Sequence, residues 1–260
     1  MKRVIITFDD SRKDTFTRAF PVLVASGLKA AVYVISDFVL NENTLIGFPS
    51  CDVPMSVNDL TEWQNSGFEI GCHGKKHLND YDDILLCIDD LKKCGLITDN
   101  IGFASPQSEL CEANIDEYGV QKLLDDKKIL YARSGIQIKR AGFFYTVHSV
   151  FERITHSKKA FYRLNKRNII RNKLDSRLIP SVAIKRYTTN EQIEYFIEKI
   201  PDDSTVIFMF HSILKNTDAG YAKDDYYWDY EKFVRFCSFL SSKDDITCLT
   251  TKEMVLEFLK

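Results

Sequence analysis

Two adjacent aspartates, Asp9 and Asp10, follow the apolar run VIITF near the start of the chain. A strand that ends in a carboxylate pair does little for a core, but it can hold a cation or take a proton from water. In the stretch GCHGKKHLN, His73 and His77 are separated by three residues, a spacing that lets two imidazoles converge on one ion from a helical turn or a compact loop. Near the other end, VIFMFHSI places His211 at the close of a hydrophobic strand. Taken singly, each has an ordinary reading: polar surface histidines for the pair, a hydrogen-bonded structural residue for His211. Together they read differently. Two histidines and a carboxylate are a common hydrolytic zinc set with positions left open for water and substrate, while a second carboxylate and a third histidine can divide the base and acid roles. Cys72, beside His73, reads as a buried thiol.

Short β-rich runs must position these residues. VIITF (4–8), AAVYVI (30–35), FEIG (68–71), IGFA (101–104), ILYA (129–132), VIFMF (206–210) and ITCL (246–249) alternate with amphipathic segments, the pattern of βα units around a parallel sheet. Between Tyr81 and Cys94, the residues Ile84, Leu85, Ile88 and Leu91 share one helical face. Ser56 and Asp59 form a cap box before Leu60 and Trp63, and Gly67 stands where that helix stops. This strand count predicts an α/β fold, a closed or nearly closed (β/α) barrel of seven or eight mostly parallel strands, with an open doubly wound sheet as the alternative. In a barrel, the polar residues that follow the strands gather on one rim.

In this order and across nearly the whole chain, the motifs resemble those of the polysaccharide deacetylases of the NodB-homology type, which are similar to carbohydrate esterase family 4. TFDDS stands for the family's TFDDG, HGKKH for its H-S/T-x-x-H, and FMFHS for its late L-x-H. The resemblance implies a distorted (β/α) barrel, in agreement with the strand count, and removal of acetyl groups from N- or O-acetylated sugars. It also implies that Asp10, His73 and His77 bind a divalent metal, that Asp9 is the general base, and that His211 is the general acid in its imidazolium form. Zinc is the expected ion from the Asp/His set, with cobalt, nickel or manganese able to occupy similar sites.

Departures from the family pattern are equally specific. The R-x-P-Y motif appears as ASPQ, with Ala104 in the arginine position and Gln107 in place of tyrosine. Arginine there orients the base carboxylate. Arg133, at the end of the next strand, is the expected substitute, ahead of Lys75 or Lys76. Pro106 keeps the turn, and the amide of Gln107 can still donate to an oxyanion. No acidic residue with a tryptophan lies in the interval where the fourth motif belongs, so the group that tunes His211 is unassigned. Ser11 replaces a glycine, which argues against a backbone shape that only glycine tolerates. Met209, two residues before His211, either lines an acetyl-methyl pocket or packs in the core. In the aromatic stretch YAKDDYYWDY, Trp228 is expected either to stack on a sugar face or to anchor the loop.

Composition bounds the setting. With 260 residues, 45% of them hydrophobic, the chain can bury a sizeable core as a single domain. Seven cysteines without a CxxC pair argue against a disulfide framework or a zinc ribbon. The apolar run after Lys2 and Arg3 is too short for a secretory leader, and no stretch approaches the ~20 apolar residues of a membrane helix. These features lead to the expectation of a cytoplasmic protein acting on a nucleotide- or lipid-linked saccharide in surface-polysaccharide assembly. The net charge of −2 conceals a basic segment, 139–186, with 13 Lys and Arg against 2 acidic residues. That segment reads either as a surface for something anionic, a phosphate-bearing substrate or the inner membrane face, or as a solvated insertion; no nucleic-acid motif accompanies it. His148 and His156 lie within it and read as surface residues.

Overall fold

The computed structural model describes residues 1–41, 53–97, 100–135 and 143–259. Cys51, together with Lys139 and Arg140 of the basic segment, lies outside the described residues, as does the side chain of His148.

The seven expected strands are all present, and four short ones join them. In chain order they are β1 (Lys2–Phe8), β2 (Ala31–Val34), β3 (Glu69–Cys72), β4 (Ile101–Ala104), β5 (Ile129–Ser134), β6 (Ile179–Pro180), β7 (Val182–Ala183), β8 (Thr205–Phe210), β9 (Ser212–Leu214), β10 (Tyr227–Asp229) and β11 (Ile246–Leu249). Nine form one sheet in the order β6-β5-β4-β3-β2-β1-β8-β7, with β11 wedged onto the first half of β1. Its ladders are parallel, from β1 against β8 round to β5 against β6.

Closure depends on one residue. β6 and β7 are the two halves of a single run broken at Ser181: the first half pairs with β5, the second with β8. Ser181 Oγ donates to the Ser134 carbonyl at 2.9 Å and so fastens the seam. Counting that run once gives eight strands, seven round the barrel and β11 beside β1, the nearly closed barrel expected from the strand pattern.

Alternation along the strands decides what faces inward. Val4, Ile6 and Phe8 pack outward in the large core shared with the helices, as do Val206, Phe208 and Phe210. Ile5, Tyr33, Ala104, Tyr131 and Ile207 pack inside the barrel. Interior volume is balanced between neighbours: a Cβ on Gly102 would lie 2.1 Å from the Tyr131 ring, so the small residue on β4 makes room for the large one on β5.

Ten α-helices surround the sheet among the described residues: α1 (Phe20–Ala25), α2 (Ser36–Asn41), α3 (Val57–Asn65), α4 (Tyr81–Lys93), α5 (Val120–Asp125), α6 (Phe143–Thr155), α7 (Lys158–Asn165), α8 (Asn190–Lys199), α9 (Tyr230–Ser241) and α10 (Thr251–Phe258). α3 starts at the expected capping box, with Ser56 and Asp59 exchanging side-chain and backbone bonds, and Gly67 follows it at φ 82°. Met254 and Val255 of α10 pack into the interior cluster and close the floor. Thr251 accepts a hydrogen bond from Tyr33, whose hydroxyl also lies 2.7 Å from that of Tyr131. The opposite end, at the strand C-termini, is left for chemistry.

Candidate active site

The inward parity of each strand carries one chemical residue to the C-terminal rim. Ile5 and Thr7 on β1 lead to Asp9; Glu69 and Gly71 on β3 lead to His73; Tyr131 on β5 leads to Arg133; Ile207 and Met209 on β8 lead to His211. Asp9 is still in the ladder, its amide bonded to the Phe210 carbonyl at 3.0 Å. The chain then turns sharply, with Asp10 at φ 74° and Ser11 at φ 51°. This left-handed turn explains how consecutive aspartates serve one site instead of opposite faces. Serine adopts the left-handed backbone here, a shape not restricted to glycine, at a cost of roughly 1–3 kcal/mol per such residue, while its hydroxyl donates to the Asp10 carbonyl at 2.6 Å.

Asp10, His73 and His77 form a cluster whose ligand atoms all lie within 4.8 Å of one another. Asp10 Oδ1 is 3.4 Å from Nε2 of His73 and 3.6 Å from Nε2 of His77. His73 Nδ1 lies 2.8 Å from the Ala104 carbonyl and donates to it, which leaves Nε2, facing Asp10, as the nitrogen that can ligate an ion. HGKKH is a compact loop, with His77 at φ 62°. Asp83 of α4 organises it by accepting from the amides of Lys76 at 3.0 Å and Leu78 at 3.2 Å.

Charge pulls these groups in different directions. Burial would raise the Asp10 carboxyl, but the Arg12 guanidinium and His73 hold it well below the usual carboxylate range. Burial opposes charge on His73, yet the Asp10 and Asp9 carboxylates raise it overall. Burial and the neighbouring His73 bring His77 down to about 4, so this imidazole is neutral near pH 7. Three converging donors with two neutral-capable imidazoles fit a divalent cation of the zinc class and leave coordination positions open.

Two buried arginines hold the two aspartates. Arg133 donates from Nη2 to Asp9 Oδ1 at 2.5 Å and from Nη1 to Ser181 Oγ at 2.9 Å, and its guanidinium lies 4.8 Å from the centre of the Tyr33 ring. Ala104 and Arg133 are register partners on β4 and β5. The guanidinium missing at position 104 is therefore supplied from the adjacent stave, in the space that a small residue leaves. Lys75 is turned away, paired with Asp90 at 2.7 Å and Asp37 at 3.3 Å.

Sequence reasoning missed the second arginine. Arg12, fully buried, donates to Asp10 Oδ2 from Nε at 3.0 Å and Nη2 at 2.8 Å, and to Ser212 Oγ from Nη1 at 3.0 Å. It thus grips one carboxylate oxygen of Asp10 and leaves the other facing the histidines. A charged residue two positions after Asp10 was the only signal in the sequence. Nothing local distinguished it from a solvated loop cation.

His211 has a different environment from the one expected. Its Nδ1 is shut off from water and has no hydrogen-bond partner among the described residues. Burial is the main cause, and Arg12 adds to it, of a fall to about 4. The resting ring is therefore neutral near pH 7, a correction to the imidazolium expected, and it donates a proton only after taking one up.

The remaining expected residues divide. Pro106 is buried in a short turn, and Gln107 is exposed at φ 54°. Asn79 ties that turn to the histidine loop, donating to the Pro106 carbonyl at 2.9 Å and accepting from Ser105 Oγ at 2.8 Å. Met209 is buried beside Ser181, whose Oγ is 3.9 Å from its sulfur. Trp228 is corrected as a sugar platform. It is 0% exposed, donates from Nε1 to the Thr188 carbonyl at 2.8 Å, and packs on Phe210 and Phe236, so it anchors the loop. Tyr226 is the aromatic at the site: 44% exposed, it meets the His211 ring edge-on at 5.2 Å. Cys72 is a buried thiol whose sulfur accepts from the Gly74 amide at 3.4 Å, and His156 is exposed on the surface.

Residues 1–96 match the family model described as polysaccharide deacetylase. Among curated proteins, no relative matches the sequence. Solved structures share the fold at low identity. The Xyl-CE4 domain of a multidomain xylanase from the hindgut metagenome of Trinervitermes trinervoides aligns over 98% of this chain and 90% of its own, at 11% identity and a TM-score of 0.53. A family 4 acetyl xylan esterase from Clostridium thermocellum, solved with a cobalt ion, aligns over 98% and 91% at 17% identity and a TM-score of 0.51. A peptidoglycan deacetylase from Bacillus subtilis aligns over 99% and 91% at 12% identity and a TM-score of 0.51. In sequence over its first 96 residues, and in fold over nearly its whole length, the chain is similar to the polysaccharide deacetylases that its motif order resembles.

Proposed function

We propose that the protein is a metal-dependent deacetylase that hydrolyses the acetyl amide or ester of a sugar. The observation that carries this reading is the joint placement of an Arg-held aspartate, an Asp/His/His cluster and a partly buried histidine on one barrel rim. The match of residues 1–96 to the deacetylase family model supports it, and the cobalt ion in the acetyl xylan esterase supports a divalent metal in this fold.

Asp10, His73 and His77 would hold the ion, zinc by the chemistry of the donors. When bound there, such an ion supplies Lewis-acid polarisation and makes water a stronger acid near neutrality. Asp9, aimed by the hydrogen bond it accepts from Arg133, takes the proton of the attacking water. As the C–O bond forms, the amide of Gln107 donates to the developing oxyanion, and Met209 lies against the acetyl methyl. His211, neutral at rest, takes up the proton that Asp9 gained and passes it to the leaving nitrogen or oxygen as the C–N or C–O bond breaks. The proton gained by Asp9 balances the one the leaving group needs. Acetate and a free amine or hydroxyl result.

For the substrate, we propose a phosphate-bearing saccharide, nucleotide- or lipid-linked, met in the cytoplasm at the inner membrane face. The basic segment supports this reading, since its exposed Lys158, Lys159, Arg163, Lys166 and Arg167 attract an anionic group. The test is acetate release from a panel of N-acetylated sugars, nucleotide sugars, lipid-linked saccharides and O-acetylated xylan fragments, with model amides as competitors. Release from one sugar class, competed by N-acetylated sugars, is expected. Zinc-loaded protein that releases acetate only from non-sugar amides would contradict the carbohydrate assignment, and a loaded protein that binds sugars without releasing acetate would favour a binding role.

The two aromatic positions give a separate expectation. Trp228→Ala removes a fully buried ring and should cost about 3–5 kcal/mol of stability, read as a fall in Tm. Tyr226→Ala should leave Tm nearly unchanged and raise KM roughly threefold to tenfold, the weight of one aromatic contact. A reversal of these two effects would overturn the reassignment.

A further inference from the structure

α6 presents an apolar stripe to solvent. Val147, Val150, Phe151 and Ile154, at positions i, i+3, i+4 and i+7, are 46%, 52%, 52% and 73% exposed. The opposite face is fastened to the protein, with Glu152 buried and accepting from Gln192 Nε2 at 2.6 Å. α7 packs beside α6, and Val147, Phe151, Lys159, Ala160 and Arg163 line a cavity between them. Lys158, Lys159 and Arg163 on α7, followed by Lys166 and Arg167, are all exposed. Aliphatic and aromatic side chains are therefore ringed by cations, in a segment that holds 13 basic and 2 acidic residues.

We infer that α6 and α7 form a docking surface for an anionic phospholipid bilayer. A helix lying in the membrane plane inserts its apolar stripe at the level of the acyl boundary while Lys and Arg meet lipid phosphates, and this surface supplies both parts. α6 is about 20 Å long, which suits lying on a membrane, and no helix among the described residues is long and apolar enough to cross one. A nucleic acid would use the cations and leave the stripe without a role. An acidic protein partner would likewise meet the cations without explaining a stripe of apolar residues aligned along one helix.

The surface adjoins the rim. Arg153 of α6 pairs with Asp225 at 3.1 Å, and the next residue, Tyr226, lies against His211. A bilayer docked on α6 brings the headgroup region close to the catalytic loop. The inference rests on the proposed function only for what the membrane would present there, a lipid-linked acetylated sugar.

Co-sedimentation with vesicles tests it without any catalysis. Full-length protein should sediment with phosphatidylcholine mixed with phosphatidylglycerol, not with phosphatidylcholine alone, and added salt should release it. The pair Phe151→Ser and Ile154→Ser, and separately the triple change Lys159→Glu, Arg163→Glu and Lys166→Glu, should each lower partitioning about tenfold or more. Both variants should keep the far-ultraviolet circular dichroism, and the Ser pair should keep acetate release from a soluble substrate. Absence of sedimentation with anionic vesicles overturns the inference. So does sedimentation that the Ser pair leaves unchanged, or that RNA competes away as effectively as excess vesicles. Failure of the acetate assay with vesicle binding intact would instead count against the deacetylase reading alone.

Discussion

Arg133→Ala is expected to lower kcat for acetate release by about 10²–10³, within the range that positioned acid–base groups contribute. Arg133 is fully buried, and Asp9 is nearly so. Removing the guanidinium leaves a carboxylate in the barrel without its counter-charge, and breaking such a buried pair costs about 3–5 kcal/mol of stability. The same change frees Ser181 Oγ at the seam between β5 and β8, where Arg133 donates to it at 2.9 Å. Stability and chemistry must therefore be separated. Because Ala104 is the register partner of Arg133, the double variant Ala104→Arg/Arg133→Ala moves the guanidinium one stave, a strand spacing of about 4.8 Å. It should recover at least tenfold of the lost kcat while Tm remains low, because Ser181 Oγ, though still donating to the Ser134 carbonyl, lacks the donor that Arg133 supplied. Measured kcat and thermal denaturation for wild type, single and double variants decide this. A single variant with wild-type kcat would show that Asp9 needs no orientation by Arg133.

Arg12→Gln is the second large expectation, and its sign is decided by two competing effects. Deleting a cation beside Asp10 removes repulsion towards a divalent ion, which favours tighter metal binding. It also removes the fork that holds Oδ2 and points Oδ1 at the two histidines. Asp10 stands in a left-handed turn, so its orientation depends strongly on that fork. Loss of a group that orients a metal ligand typically costs 10–100-fold in affinity, and we expect the orienting effect to win. Zinc affinity should fall by about that factor in a competition titration with a chromogenic chelator. Arg12→Lys keeps the charge without the bidentate geometry, so it should fall between wild type and Gln. Tighter zinc binding by Arg12→Gln would show that repulsion dominates and that Arg12 has no positioning role.

The difference between Arg133 and Arg12 shows how much was legible before the fold. Arg133 ends a strand of clear period next to the strand that lacks its arginine, so sequence order alone brought the two positions together. Arg12 sits in a turn whose form depends on positive φ at Asp10 and Ser11, and no residue type there announces that shape. The seven longer strands carried apolar runs that mark a sheet, and their inward parity carried Asp9, His73 and His211 to one rim. β6 and β7 carried no such signal: each has two residues, Pro180 interrupts the donor pattern, and they lie within a basic segment. Yet their seam at Ser181 closes the barrel and supports Arg133. Trp228 and Tyr226 were indistinguishable as aromatic loop residues. Burial separated them, because parallel pairing of β10 with β9 sets Trp228 beside Ile213 and turns its ring onto Phe210.

The most direct measurement is acetate release by zinc-loaded wild type and zinc-loaded Asp9→Asn, under one set of conditions, on the substrate to which the wild type responds. Asn is close in size to Asp, lies outside the Asp10/His73/His77 cluster, and cannot take a proton from water. The expected result is equal zinc content in the two proteins and a fall in kcat of about 10²–10⁴ in the variant. Equal zinc content with equal kcat would contradict the assignment of Asp9 as the base, and with it the chemistry proposed for this site.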